Sequence, residues 1–250
     1  MEEECSLKLT VIGCWGGYPK MNEASSGYLL EHDGFHLLID CGSGVLSKLQ
    51  NFIKPSRLDA VILSHYQPDH NADIGVLYHA RLIEGFLGEK LPALPIYGHG
   101  LDQNEFRRLT YKKITRGVAY DPSAPLKIGP FTITFLRTDH PVPCFAMRME
   151  AGGRSLVYTA DTAYKEELVP FANAIDLLLC ECNFYADQTG KGAGHMNSHD
   201  AGRLAEKAGA KQLILTHLPH YRDINELAKE AASCYTGKIQ LAQEGLTITL

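Results

Sequence analysis

The chain has 250 residues, 45% hydrophobic and 21% charged, which suffices to bury a sizeable core and excludes an intrinsically disordered polymer. A net charge of −5 disfavours a broad electrostatic footprint for duplex nucleic acid. Seven cysteines, an odd number at irregular spacings, do not make a disulfide framework and are expected to be reduced.

In chain order, the acidic start Met1-Glu2-Glu3-Glu4-Cys5 lacks the basic flank and apolar stretch of a secretory signal, and no membrane span is visible, so a cytoplasmic protein is expected. Residues 7–13 read as a strand broken by the Gly-rich loop 13–19. Strands over 28–32 and 35–40 flank Asp33-Gly34, a dipeptide suited to a tight hairpin turn. Helical spacing covers 45–53, a buried strand 59–64 and a helix 73–87, with apolar residues at Ile74, Leu77, Tyr78, Leu82 and Phe86. The segments 91–95 and 120–125 read as loops, too short to be domain linkers, so one domain over 1–250 is expected.

The second half repeats the alternation. Strands are expected over 131–136, 144–149 and 155–159, the last two joined by Gly152-Gly153, and then over 176–182, 211–216 and 238–241. Helices are expected over 165–171, 198–208 and 223–235, the second capped by Asn197 or Ser198. Cys180-Glu181-Cys182 has the alternation of a packed strand and no second Cys pair to complete a zinc knuckle. Antiparallel hairpins combined with helices between buried strands point to two mixed sheets packed together with helices outside, rather than a simple parallel sheet.

The chemistry gathers at strand ends. Ser64-His65-Tyr66-Gln67-Pro68-Asp69-His70 follows the apolar run Asp59-Ala60-Val61-Ile62-Leu63, placing several metal-capable groups on one loop held by a rigid element. His140, Asp161 and His217 each stand just past another predicted strand. Asp161 also has a reading as a helix cap. His220 competes with His217 but stands farther from its strand, which suits an outer role. His32, His36, His79, His99 and His199 read as ordinary loop histidines. Arg107, Arg108, Lys112, Lys113 and Arg116 around Tyr111 read as a solvated helix face. Gly13, Gly16 and Gly17 lack the G-x-G-x-x-G spacing of a dinucleotide site and read as a tight loop.

This order of donors resembles the metallo-β-lactamase superfamily, whose first motif is H-x-H-x-D-H and whose later ligands are a lone His, a bridging Asp and another His. Within it the chain is most similar to short-form ribonuclease Z-type enzymes. Asn22-Glu23-Ala24-Ser25-Ser26 resembles their N-x-x-[ST]-S stretch, and His140-Pro141-Val142-Pro143-Cys144-Phe145-Ala146-Met147-Arg148 their third motif. Glu181-Cys182-Asn183-Phe184 followed by Gly194-His195-Met196-Asn197-Ser198 resembles E-A-T-F followed by G-H-x-[ST]. The resemblance implies an α/β fold of the four-layer αββα type. It implies one metal held by His65 and His140, a second by Asp69, His70 and His217, and Asp161 bridging, with zinc or manganese as one or two ions. A hydroxide between the ions would attack phosphorus, Asp69 would orient it, and His195 would stabilise the phosphate and protonate the leaving alkoxide.

The chain departs from that pattern at Gln67, where the family has its second histidine. An amide oxygen reaches a similar point but is a neutral, weaker zinc ligand than imidazole. Three outcomes stand open: a full pair with Gln67 as poor ligand or spectator, a single metal on Asp69, His70, Asp161 and His217, or a weakened metal-binding scaffold. The expected activity is a metal-dependent phosphodiesterase acting on RNA 3′ ends or on smaller phosphodiesters, with thioester or lactone hydrolysis as the alternative. Only a short hairpin separates His140 from Asp161, leaving no room for the arm with which the family's tRNA-processing enzymes grip tRNA. A homodimer is a further expectation from the resemblance.

Overall fold

A computed structural model describes residues 6–250; the expectation drawn from the acidic start, residues 1–5, lies outside them. The chain forms two compact units, one running to Asp121 and taking in Gln243–Thr249, the other covering Pro122–Ala242. The first contains β1 (Lys8–Gly13), β2 (Gly27–His32), β3 (Phe35–Ile39), α1 (Val45–Leu49), β4 (Ala60–Ile62), α2 (Pro68–Asn71), α3 (Ile74–Phe86), β5 (Leu94–His99), α4 (Gln103–Arg108) and β6 (Thr115–Tyr120). The second contains β7 (Leu126–Ile128), β8 (Phe131–Arg137), β9 (Phe145–Ala151), β10 (Arg154–Tyr158), α5 (Leu168–Phe171), β11 (Leu177–Glu181), α6 (Ser198–Ala208), β12 (Gln212–Thr216), α7 (Asn225–Ala231) and β13 (Lys238–Leu241). The last strand, β14 (Thr247–Thr249), pairs antiparallel with β1.

Each unit holds one seven-stranded mixed sheet, ordered β14-β1-β2-β3-β4-β5-β6 in the first and β13-β12-β11-β10-β9-β8-β7 in the second. Pairs joined by hairpins are antiparallel, as β2–β3 and β9–β10; pairs separated by helical crossovers are parallel, as β3–β4–β5–β6 and β10–β11–β12–β13. The hairpin turn at Asp33-Gly34 has both residues at positive φ, 49° and 75°. In the first unit, Val61 and Ile96 of the parallel strands, with Leu63 just past β4, pack with Val45 and Leu49 of α1 and Ile74 and Leu77 of α3. In the second, α6 follows the predicted 198–208 and buries Ala201, Leu204, Ala205 and Ala208 at helical spacing. Its first turn is closed by a reciprocal capping box between Asn197 and Asp200.

The predicted elements shift in several places. The helix expected over 45–53 ends at Leu49, because Asn51 N and Phe52 N bond three residues back, to Lys48 O and Leu49 O, and tighten the chain into turns. The helices expected over 165–171 and 223–235 contract to Leu168–Phe171 and Asn225–Ala231. The loop reading of 91–95 overlooked β5. Its Pro95 precedes Ile96, the first residue that β4 pairs, so on that side the missing N–H breaks no ladder bond. The basic cluster is spread over the end of α4, a turn and β6 rather than one helix face. Among the described residues the cysteines are free thiols, and no helix is long and apolar enough to cross a membrane.

Candidate metal centre

In the first unit, parallel strands β3 and β4 end side by side, and ligands in open α/β sheets gather at such carboxyl ends. Asp40, one residue past β3, is completely buried and organises both exits. Its Oδ1 accepts the Ser64 backbone N–H at 2.7 Å, while Oδ2 accepts the Ser64 hydroxyl at 2.8 Å and His70 Nδ1–H at 2.8 Å. Asp69 and His70 lie on the short helix α2, which Pro68 opens at its first position. Their backbones are pinned as well: Ser26 N donates to Asp69 O at 3.1 Å and Cys41 N to His70 O at 2.7 Å. Gly17 N, in the loop after β1, donates to Asp69 Oδ2 at 2.7 Å, which puts the Gly-rich loop beside this group. The His65 and His70 rings stand 4.1 Å apart, and His65 Nε2 is 3.0 Å from Gln67 Oε1.

In the second unit, Asp161 stands three residues past β10, Glu181 closes β11 and His217 directly follows β12. His217 Nε2 stands 3.3 Å from Asp161 Oδ2, and Asn183 Nδ2 donates to the His217 carbonyl at 2.9 Å. His195 rises from the loop between β11 and α6; its ring lies 5.3 Å from that of His140 and 5.2 Å from that of His217. Its Nδ1 bonds Glu181 Oε1 at 2.9 Å, and the same carboxylate oxygen accepts Thr162 N at 2.7 Å. One polar atom from each of Glu181, His195 and His217 lies within 4.8 Å of the other two. His140 Nδ1 bonds Gly194 O at 3.1 Å. Burial pushes the His140 imidazole below its ordinary pKa, and neighbouring His195 adds to this, against the opposing pull of Asp161, the Gly194 carbonyl and Glu181.

The donor set fits divalent cations. With Nδ1 of His70 donating to Asp40 and Nδ1 of His140 donating to Gly194 O, each neutral ring has an unprotonated Nε2, the state in which imidazole ligates. The His70 lone pair stands 3.5 Å from Asp69 Oδ2, so two electron-rich atoms face one another. Three exits also carry non-glycine residues in the left-handed region: Asp40 (φ 55°), Ala160 (φ 50°) and His217 (φ 52°). Such geometry costs about 1–2 kcal/mol at each residue, and it gathers where a chain must aim a functional group.

Two groups that sequence reasoning left without a role, Asp40 and Glu181, hold His70 and His195 in place. Each is an acid at the end of a largely apolar strand, a position that by itself does not name the histidine it holds. The histidines set aside as loop residues lie instead within elements, His32 in β2, His36 in β3, His79 in α3, His99 in β5 and His199 in α6. His220 is half-buried three residues beyond His217.

A family model described as β-lactamase superfamily domain matches residues 36–218. The chain is 54% identical over 239 residues to the probable metallo-hydrolase YhfI of Bacillus subtilis, covering 96% of this chain and 98% of that protein. A crystal structure of the metallo-β-lactamase fold protein YhfI from Bacillus subtilis superposes with a TM-score of 0.97 at 53% identity, covering 98% of this chain and 100% of that one. The chain is 25% identical to a ribonuclease Z of Myxococcus xanthus over 98% of both. The short form of human tRNase Z superposes with a TM-score of 0.75 at 21% identity, covering 96% of this chain and 98% of that one.

Proposed function

We propose, for a chain that belongs to the β-lactamase superfamily and has the metallo-β-lactamase fold expected from its sequence, a metal-dependent hydrolase of small phosphodiesters. The candidate ligands are His65, Asp69 and His70 in the first unit and His140, Asp161 and His217 in the second, donors of the kind that hold zinc or manganese as one or two ions. A bound divalent cation supplies Lewis acidity, which acidifies water and neutralises charge on the phosphoryl oxygens. Asp40 keeps His70 in the ligating tautomer, and the Gly194 carbonyl does so for His140.

The observation that carries this reading is the His195–Glu181 pair. Glu181 is wholly buried and holds Nδ1 at 2.9 Å, which turns Nε2 into the working end of the ring beside His217. In hydrolysis water gives up a proton to solvent as its oxygen bonds to phosphorus, the P–O ester bond breaks, the leaving alkoxide takes the proton from His195 Nε2, and His195 is reprotonated from solvent. Thiolates leave unaided near neutrality, so a thioesterase has little use for such a donor, whereas an alkoxide needs one. The short β9–β10 hairpin between His140 and Asp161 favours substrates of nucleotide size, cyclic phosphodiesters included, over an RNA 3′ end gripped by an added arm.

Hydrolysis of bis(p-nitrophenyl) phosphate and of cyclic nucleotides with added zinc or manganese, set against a thioester and a lactone, tests the assignment. Turnover of the thioester or lactone alone would overturn it. Silence toward every substrate, with activity appearing in Gln67→His, would make the protein a metal-binding scaffold.

A further inference from the structure

We propose that Glu230 is a positioning residue for His195, clasping from α7 both ends of the loop that carries the imidazole; this rests on the reading of His195 as proton donor. Residues 184–198 leave β11 and return to α6 as a closed loop. Its ends are joined where Ser198 N donates to Phe184 O at 3.0 Å and Phe184 N to Met196 O at 3.3 Å. At that junction one oxygen, Glu230 Oε2, accepts the Ala186 N–H at 2.9 Å and the Ser198 hydroxyl at 2.5 Å. Ser198 is completely buried, so its hydroxyl bond is shielded from competing water. Bonds to a carboxylate are about twice as strong as those between neutral groups, and here two of them meet on one atom.

Within the loop, His195 N donates to Gly190 O at 3.1 Å and Nδ1 bonds Glu181. Glu181 thus sets which way the ring turns, while the loop base sets how far the backbone carries it forward. The base in turn depends on where α7 sits. Gly202 of α6 faces Ala231 of α7 so closely that a Cβ at 202 would lie 2.6 Å from the Ala231 carbonyl oxygen. The helices therefore meet backbone to backbone one residue from Glu230, which fixes the point from which its side chain reaches the loop. A shift of about 1 Å in a proton donor costs on the order of a hundredfold in rate, so a clasp at this point acts on chemistry rather than on binding.

The test uses the metal-loaded protein and phosphodiesters with graded leaving groups, from p-nitrophenolate to a simple alkoxide. Glu230→Ala should lower kcat about tenfold to a hundredfold for the alkoxide and at most about threefold for p-nitrophenolate, with KM little changed. Glu230→Gln, whose amide oxygen can still accept both bonds, should recover most of the loss. In a His195→Ala background Glu230→Ala should add nothing. If Glu230→Ala does not fold, Ser198→Ala removes one of the two bonds and should give the same leaving-group-selective loss at smaller size. Equal losses on both substrates, or losses that multiply with those of His195→Ala, would overturn the proposal and leave Glu230 a structural residue. A His195→Ala variant with no leaving-group dependence would instead remove the proton-donor reading, and this proposal with it.

Discussion

Asp40 Oδ2 and His70 Nδ1 stand 2.8 Å apart with both side chains completely buried. A carboxylate behind a ligating imidazole fixes its tautomer and raises its basicity, and loss of such a partner costs about 10–100-fold in metal affinity. Asp40→Asn should therefore weaken zinc and manganese binding by that range in calorimetric titration. The same substitution puts an amide where Ser64 N, Ser64 Oγ and His70 Nδ1 all donate, so thermal stability should fall as well. Unchanged affinity would mean that His70 faces no ion.

Gln67 departs from the family pattern, and its amide oxygen sits 3.0 Å from His65 Nε2. An imidazole at that point would be a stronger and softer ligand than an amide oxygen. Gln67→His is expected to tighten zinc binding roughly tenfold and to raise the ratio of zinc to protein after dialysis. Elemental analysis of both proteins under one dialysis condition decides it. Equal metal content would leave Gln67 as a spectator.

The candidate donors that the sequence singled out, such as His65 and His217, end runs of apolar residues, a pattern that depends only on neighbours in the chain. Asp40 and Glu181 were not legible, since their meaning comes from partners 30 and 14 residues away, His70 and His195. The same reason hid β5 and β6. Pro95 and the exposed Arg116 argue locally against strands, and only the pairing of Leu94–His99 with Thr115–Tyr120 overrides them. Helix α6 was found to the residue because its cap, apolar spacing and Gly209 terminus are all local signals. Helices α1 and α7 were overextended, because helical spacing continues past the point where three-residue turns take over the backbone bonds.

Gly42 offers a steric test of the first unit's site. A Cβ at this position would lie 1.9 Å from the Asp69 carbonyl oxygen, and Gly42 N donates to Ser26 O at 3.0 Å in the same backbone cluster. Gly42→Ala must displace α2, which carries Asp69 and His70. Overpacking of this kind costs about 1–3 kcal/mol, so a lower Tm with weakened metal binding is expected. Full metal affinity in a folded Gly42→Ala protein would show that α2 tolerates the shift.

Asp176 lies away from these groups and gives a pH test of the second unit. Its Oδ2 accepts Ser155 N at 2.9 Å, and its Oδ1 takes Lys211 Nζ at 2.7 Å. Burial alone would raise its pKa, but the Lys211 ammonium, the Ser155 N–H and the Arg154 charge outweigh it and hold the carboxyl below its ordinary 3.8. A depressed folded pKa adds stability that is fully present above the unfolded value, near pH ~3.9, and is lost as the pH falls through the folded value. Lys211 is 69% exposed, so solvent screens its share and the backbone bond carries most of the effect. Asp176→Asn should cost about 1 kcal/mol near pH ~7, and the gap should close as the pH drops below about 4. Urea unfolding of both proteins across that range measures it; a gap that widened toward acid would mean that the carboxyl is destabilised rather than stabilised by folding.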